Sequence, residues 1–138
     1  MKNTLIDSGS LVAYLDRRDQ WHSWALHVFK QTAPPFLTCD AVLSETCFLI
    51  SGMPDGHQRL GSLVKRGIVV PAFDSRPEAP ALFDLMARYA SVPMSFADAC
   101  LVRMSEVIPA STVFNTDSDF RIYRRHKRQV IPILAPPP

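Results

Sequence analysis

Ser95-Phe96-Ala97-Asp98-Ala99-Cys100-Leu101-Val102 puts a single acid, Asp98, into the first turn of an otherwise apolar helix. Three other acids sit in equally apolar settings: Asp7 after Thr4-Leu5-Ile6, Glu45 within Val42-Leu43-Ser44-Glu45, and Asp117 after Val113-Phe114-Asn115. A buried carboxylate is costly unless it is paired or holds a metal. Four acids so placed point to a converging acidic site for a hard, oxygen-preferring cation such as Mg²⁺ or Mn²⁺.

Each acid also has a purely structural explanation. Ser95 and Asp98 have the Ser-x-x-Asp spacing of a helix-start capping box. Asp7 can cap the helix that follows it. Glu45 can be a solvated helix residue, and Asp117 a turn former beside Asp119. The functional alternative gains its weight from the conjunction: all four acids fall at the expected junctions of a single α/β pattern.

Outward from this stretch, the chain alternates strands and helices. Thr4-Leu5-Ile6 reads as a short buried strand, with Ser8-Gly9-Ser10 as turn and cap, and Leu11, Val12, Tyr14 and Leu15 at helical spacing. A second helix is expected from about Trp21 to Lys30. Its tryptophans, Trp21 and Trp24, are three apart and suit core or interface packing better than a base-stacking platform. Pro34-Pro35 ends it, Phe36-Leu37-Thr38 is a second strand, and Asp40 is the expected N-cap of the helix bearing Glu45.

Gly52-Met53-Pro54-Asp55-Gly56 is a break, a fourth helix runs from His57 to about Lys65, and Ile68-Val69-Val70 is a third strand. A proline-dense connection, 71–80, precedes a helix with Leu82, Phe83, Leu85, Met86 and Tyr89. The Ser95 helix is expected to reach about Val107. Thr112-Val113-Phe114-Asn115 is a fourth strand, followed by a polar loop, 116–119. A basic helical turn over Phe120 to His126 and a last strand at Val130-Ile131 complete the pattern. Residues 1–134 are expected to form a single domain, and 135–138 a proline-rich tail. Strands alternating with helices predict a parallel sheet covered on both faces, with ligands bound beyond the carboxyl ends of its strands.

Composition agrees with one globular domain. The 138 residues are 47% hydrophobic and 20% charged, enough for a real core and unlike a disordered chain. The three cysteines, Cys39, Cys47 and Cys100, lack metal-ligand spacing and are expected to be reduced core thiols of a cytoplasmic protein. No apolar run is long enough to span a membrane. The first strand follows Met1 so closely that no signal peptide is expected. His22, His27, His57 and His126 show no pairing suited to general-base work.

The net charge of +2 is mild but unevenly spread. Arg121, Arg124, Arg125, Lys127 and Arg128 are five of the fifteen basic residues and crowd a short stretch with Tyr123 and His126. Such a run can neutralise phosphates and attract RNA. It can equally be a solvated helix end whose cations offset the helix dipole.

Four motifs together resemble the PIN-domain ribonucleases of the VapC type, the toxin halves of bacterial and archaeal toxin–antitoxin pairs. They are Leu5-Ile6-Asp7-Ser8-Gly9, Leu43-Ser44-Glu45, Pro93-Met94-Ser95-Phe96-Ala97-Asp98-Ala99, and the stretch from Asn115 through Asp117, Asp119 and Phe120 to Arg124. Each motif is short, but they cover essentially the whole chain in the right order. The resemblance implies a three-layer α/β/α sandwich around a five-stranded parallel sheet. It also implies a divalent-metal-dependent endoribonuclease with a pocket of Asp7, Glu45, Asp98 and Asp117. Asp7, Asp98 and Asp117 are then expected metal ligands, with Glu45 a ligand or a general base acting through water. Ser8 and Thr116 would orient carboxylates and water, and Asp119 matches a frequently acidic position.

RNA substrate and a cognate antitoxin are the implied partners. A homodimer is also expected, because apolar residues such as Trp21, Trp24, Phe29 and Phe48 lie on short helices and a small three-layer domain cannot bury every such face. Family members often carry Asp-Leu where Ser95-Phe96 stands here, a departure that leaves all four acids in place. Functions of other classes fit less well. A phospho-accepting receiver domain normally pairs two acids after its first strand, where Asp7 stands alone. The five glycines form neither phosphate-binding pattern of nucleotide enzymes. A catalytically silent RNA- or protein-binding module would carry four costly acids without use.

Overall fold

The computed structural model describes residues 2–138. Strand β1 (Asn3–Ile6) is central, buried on both faces, and lies between β2 (Phe36–Thr38) and β4 (Ser111–Phe114). With β3 (Val69–Pro71) and β7 (Ile133–Leu134) at the edges, the sheet has the order β3-β2-β1-β4-β7. Every pairing is parallel. Parallel strands covered on both faces need apolar residues at every position. Leu5, Ile6, Val113 and Phe114 meet this need and are completely buried.

The expected three-layer α/β/α architecture is present. Helices α1 (Ser8–Leu15), α2 (His22–Gln31), α3 (Asp40–Leu49) and α4 (Gly56–Lys65) connect β1 to β2 and β2 to β3. Helices α5 (Ala79–Arg88) and α6 (Phe96–Val107) carry the chain back from β3 to β4. Right-handed crossovers running in opposite directions place these two groups of helices on opposite faces of the sheet. The order therefore reverses between β1 and β4, and the crevice opens at their carboxyl ends.

An aromatic group fills one side of the core. Phe114 meets Trp24 edge-on at 5.3 Å and Phe29 at 5.7 Å, while Phe29 packs on Phe36 at 4.4 Å and stacks on Tyr14 at 3.8 Å. Among the apolar residues expected to seek a partner chain, Trp24 and Phe29 are thus occupied within the domain. Phe48 remains 77% exposed, joined by Phe83 and Leu49.

Several expectations need correction. Ser8-Gly9-Ser10 is not a turn but the first turn of α1, and the cap is Asp7 itself. Cys39, rather than Asp40, occupies the N-cap of α3, with Asp40 inside the first turn. Cys39 and Cys100 are buried thiols, but Cys47 is exposed on α3; all three are free.

The basic run is not a helical turn. A short 3-10 turn (Ser118–Arg121) is followed by an antiparallel hairpin of β5 (Arg124–Arg125) and β6 (Gln129–Val130). The final sheet strand is β7, three residues beyond the expected Val130-Ile131. The hairpin turns through His126 and Lys127, both at positive φ (49° and 70°), a conformation that non-glycine residues adopt at a cost. The His126 N–H donates to Glu106 Oε2 at 2.7 Å, which ties this turn to α6.

Phe114 links the aromatic group to the central strand pair. Replacing it by alanine should cost about 3–5 kcal/mol, measurable by urea unfolding, because the braced sheet cannot collapse into the void.

Candidate active site

Local capping chemistry sets the position of each acid. Asp7, one residue past β1, accepts the Ser10 N–H on Oδ1 at 2.9 Å and so starts α1. Asp98 forms a reciprocal box with Ser95: the Asp98 N–H donates to Ser95 Oγ, and the Ser95 N–H donates to Asp98 Oδ2, both at 3.0 Å. Asp117 accepts the Asp119 N–H on Oδ1 at 2.9 Å at the entry to the 3-10 turn. Glu45, midway along α3, accepts a hydrogen bond from Ser8 Oγ on Oε1 at 2.5 Å.

The four acids line one cleft of about 590 Å³, together with Ser8, Thr116 and Asp119. Asp7 and Asp117 reach it from the β1–β4 crevice, Glu45 from α3 and Asp98 from α6. Every acid that the sequence brings forward for the site is therefore in one place. The basic run is not. Arg124 Nη1 is turned inward onto the carbonyls of Arg121, Ile122 and Tyr123, and Arg125 Nη1 reaches the Ser105 carbonyl at 3.5 Å. Arg121, Lys127 and Arg128 stay exposed.

Some site residues carried no role at the sequence level. A Cβ on Gly9 would collide with Thr116 Oγ1, so the glycine lets the loop after β4 close onto α1. Gly9 lies in the Asp7-Ser8-Gly9 motif, and that is the only signal for it. Pro93 and Met94 form the opposite wall of the cleft. Tyr123, which sequence placed as an aromatic within the basic run, is fully buried and donates its hydroxyl to the Pro93 carbonyl at 2.6 Å. Burial and the negative charges of Asp98, Asp117 and Asp119 push its phenol up, so it stays protonated.

Electrostatics record the crowding. Burial, reinforced by Asp98 and Asp117, raises the Asp7 carboxyl to about 7 against the opposing hydrogen bonds from Ser10. Asp98 is also raised, first by burial and then by Asp117 and Glu45. Carboxylates that resist ionisation together are a fitting donor set for a hard divalent cation, which relieves the repulsion. Among the described residues, however, no three acidic, histidine or cysteine side chains stand close enough together to hold an ion as they lie. Each of the four carboxylates accepts a hydrogen bond through one oxygen, three of them from backbone N–H groups close in sequence and Glu45 from Ser8. In kind, they are the donors that a hard divalent cation takes.

No family model matches the chain, and none of the curated proteins does. Among solved structures it is similar to Mycobacterium tuberculosis VapC20, described as a sarcin–ricin loop cleaving toxin. The TM-score is 0.73 over 85% of this chain and 92% of that one, at 17% identity. The chain has the fold of a VapC toxin. At that identity the likeness is one of backbone, and it matches the PIN-type architecture expected from the motifs.

The raised Asp7 carboxyl makes stability pH-dependent. Its ordinary value is 3.8 and its folded value about 7, so between these the folded state holds the extra proton. Stability from this group is greatest near or below about pH 4 and falls as pH rises through about 7. Urea unfolding in EDTA should show wild type losing stability between about pH 5 and about pH 8. Asp7→Asn should flatten that slope and be the more stable protein at the upper pH, by on the order of 2–4 kcal/mol. Equal slopes for the two proteins would refute the assignment.

Proposed function

We propose that this protein is a divalent-metal-dependent endoribonuclease, the toxin component of a type II toxin–antitoxin pair. The observation that carries this reading is the meeting of Asp7, Glu45, Asp98 and Asp117 in one cleft, at the switch point of a VapC-like fold.

Hydrolysis of an RNA phosphodiester needs negative charge offset at the phosphate, an oriented water and a group to take its proton. Mg²⁺ or Mn²⁺, held by Asp7, Asp98 and Asp117, would supply the charge offset and acidify water. The protein supplies the rest. Ser8 holds Glu45 through Oε1, leaving Oε2 to accept the proton of the attacking water. As the water oxygen bonds to phosphorus, the bond from phosphorus to the leaving ribose oxygen breaks, and that oxygen takes a proton from solvent. Thr116, packed on Gly9, and Asp119, joined to Asp117 through its N–H, position the loop side of the site. Tyr123 braces the Pro93 wall beside Asp98.

Partners follow from the same proposal. A cognate antitoxin and a second copy of the chain are each candidates to cover the exposed Phe48, Leu49 and Phe83. Among the described residues no helix is long and apolar enough to cross a membrane. Three free thiols and an RNA substrate suit the reducing cytoplasm.

Incubation with labelled RNA tests the activity. Wild type should cleave with Mg²⁺ or Mn²⁺ and stop in EDTA. Asp98→Asn should lose cleavage by a factor of at least about a hundred while staying folded, since asparagine can still accept the Ser95 N–H. Cleavage that survives both EDTA and the loss of Asp7 would sink the metal-nuclease reading. The basic hairpin gives a separate check. If Lys127 and Arg128 meet phosphates, neutralising both should lower the salt slope of RNA binding by about 0.7 for each. An unchanged slope would assign them to solvation or to a protein partner.

A further inference from the structure

A second cleft of about 350 Å³ adjoins the acidic one and shares Thr116 and Asp117 with it. Its remaining walls are Trp21, Arg121 and the proline-rich segment after β7. The two tryptophans therefore have different roles. Trp24 is held edge-on against Phe114, whereas Trp21, at the N-cap of α2, is half-buried and forms a cleft wall. The Trp21 N–H is fixed by Asp19 Oδ1 at 2.8 Å, which anchors the residue at the mouth. Of the prolines that line it, Pro136 is buried, while Pro137 and Pro138 are exposed.

From this arrangement we infer that the second cleft is a nucleotide subsite of the nuclease, taking one unstacked base of single-stranded RNA next to the scissile phosphate. The inference rests on the ribonuclease reading and adds to it where the neighbouring nucleotide goes. Three observations commit the cleft to this occupant. Its shared wall with the acidic cleft means that a strand lying across Asp117 must continue into one side or the other. Its volume falls within the roughly 300–1,000 Å³ of sites for small ligands. Its chemistry pairs an indole and proline rings, which suit a base, with a guanidinium, which suits a phosphate. Arg121 is the one cation of the basic run that lines this cleft, and it lies four residues from Asp117. It offsets the acids where the backbone phosphate enters. Sequence-specific RNA sites mostly take unpaired bases, so the subsite is assigned to unpaired RNA.

The test is fluorescence anisotropy with a fluorescein-labelled single-stranded RNA of about eight nucleotides, in EDTA so that binding is read without cleavage. Trp21→Ala should weaken binding by roughly tenfold to a hundredfold, and Trp21→Phe, which keeps an aromatic face, should recover most of it. Arg121→Gln should weaken binding and lower its salt slope by about 0.7. In Mg²⁺, the same variants should raise KM for RNA cleavage far more than they lower kcat. Thermal melts identify any variant that is merely unfolded, and Trp21→Phe and Arg121→Gln keep the inference testable if Trp21→Ala is. Wild type that binds and cleaves RNA, with variants indistinguishable from it, overturns this inference alone and leaves the cleft to a protein partner. Wild type that neither binds nor cleaves overturns the ribonuclease reading and the subsite with it.

Discussion

Parallel pairing of β1 with β4 is the constraint on which the site depends. The register sets Ile6 beside Phe114, and the Asp7 N–H extends the ladder to the Phe114 carbonyl at 3.2 Å. Ser10 Oγ donates to the same carbonyl at 2.9 Å, locking the start of α1 to the end of β4. Because the sheet order reverses here, two chain segments far apart in sequence leave the sheet side by side. Asp7 directly after β1, and Thr116-Asp117 just beyond the buried Asn115 that follows β4, meet in one crevice. Both faces of these strands are buried, so the apolar run alone does not set the register; a slip of one residue would instead break the bonds of the Asp7 N–H and Ser10 Oγ to the Phe114 carbonyl. The same bonds that hold the register thereby place the acids.

Helix capping and cation binding look like rival explanations for these acids at the level of sequence. In the structure the capping bonds are present and the capped acids line the shared cleft, so the two readings are compatible. Asp7 starts α1, Asp98 closes a capping box on α6, and Asp117 starts the 3-10 turn. Each capping bond holds one carboxylate oxygen and orients the group without using the second. Backbone N–H donors also lessen the cost of concentrating negative charge, since each points its positive end at a carboxylate. They do not remove it, as the raised carboxyls of Asp7 and Asp98 record. The fold tolerates that cost because its core is braced elsewhere.

Much of the fold was legible because its strands are short apolar runs bounded by strong punctuation, such as Pro34-Pro35 and Gly52 to Gly56. The four acids were legible for the opposite reason: they interrupt apolar runs. What escaped lies mostly after β4, where local signals mislead. Arg124, Arg125, His126 and Lys127 carry no Asn-Gly or Gly-rich turn signature, and the hairpin reverses through two non-glycine residues at positive φ. Tertiary bonds from Glu106 and from the carbonyls under Arg124 fix it there, and no local pattern encodes them. Charge also misleads in this stretch. Five cations in a run suggest a uniform surface, yet two of them are spent on backbone carbonyls, and only position in the fold separates these from the free three. Tyr123 escaped likewise, since an aromatic among arginines gives no hint that its hydroxyl braces Pro93.

The cleft has two mechanically different sides. Asp7 directly follows the central strand, next to the fully buried Ile6, and is itself only 7% exposed. Asp117 and Asp119 stand on a loop held mainly by short-range bonds, with Asp117 exposed. A carboxylate fixed by the sheet can set an origin for the reacting groups, because moving it means disturbing β1 and β4 together. A carboxylate on a loop has more freedom, since a side-chain rotation or a small backbone shift moves it. The two sides meet at Gly9 and Thr116, where the Thr116 hydroxyl occupies the space that a Cβ on Gly9 would need. The cleft thus sets one carboxylate fixed by the sheet against two on a loop whose bonds are mostly local.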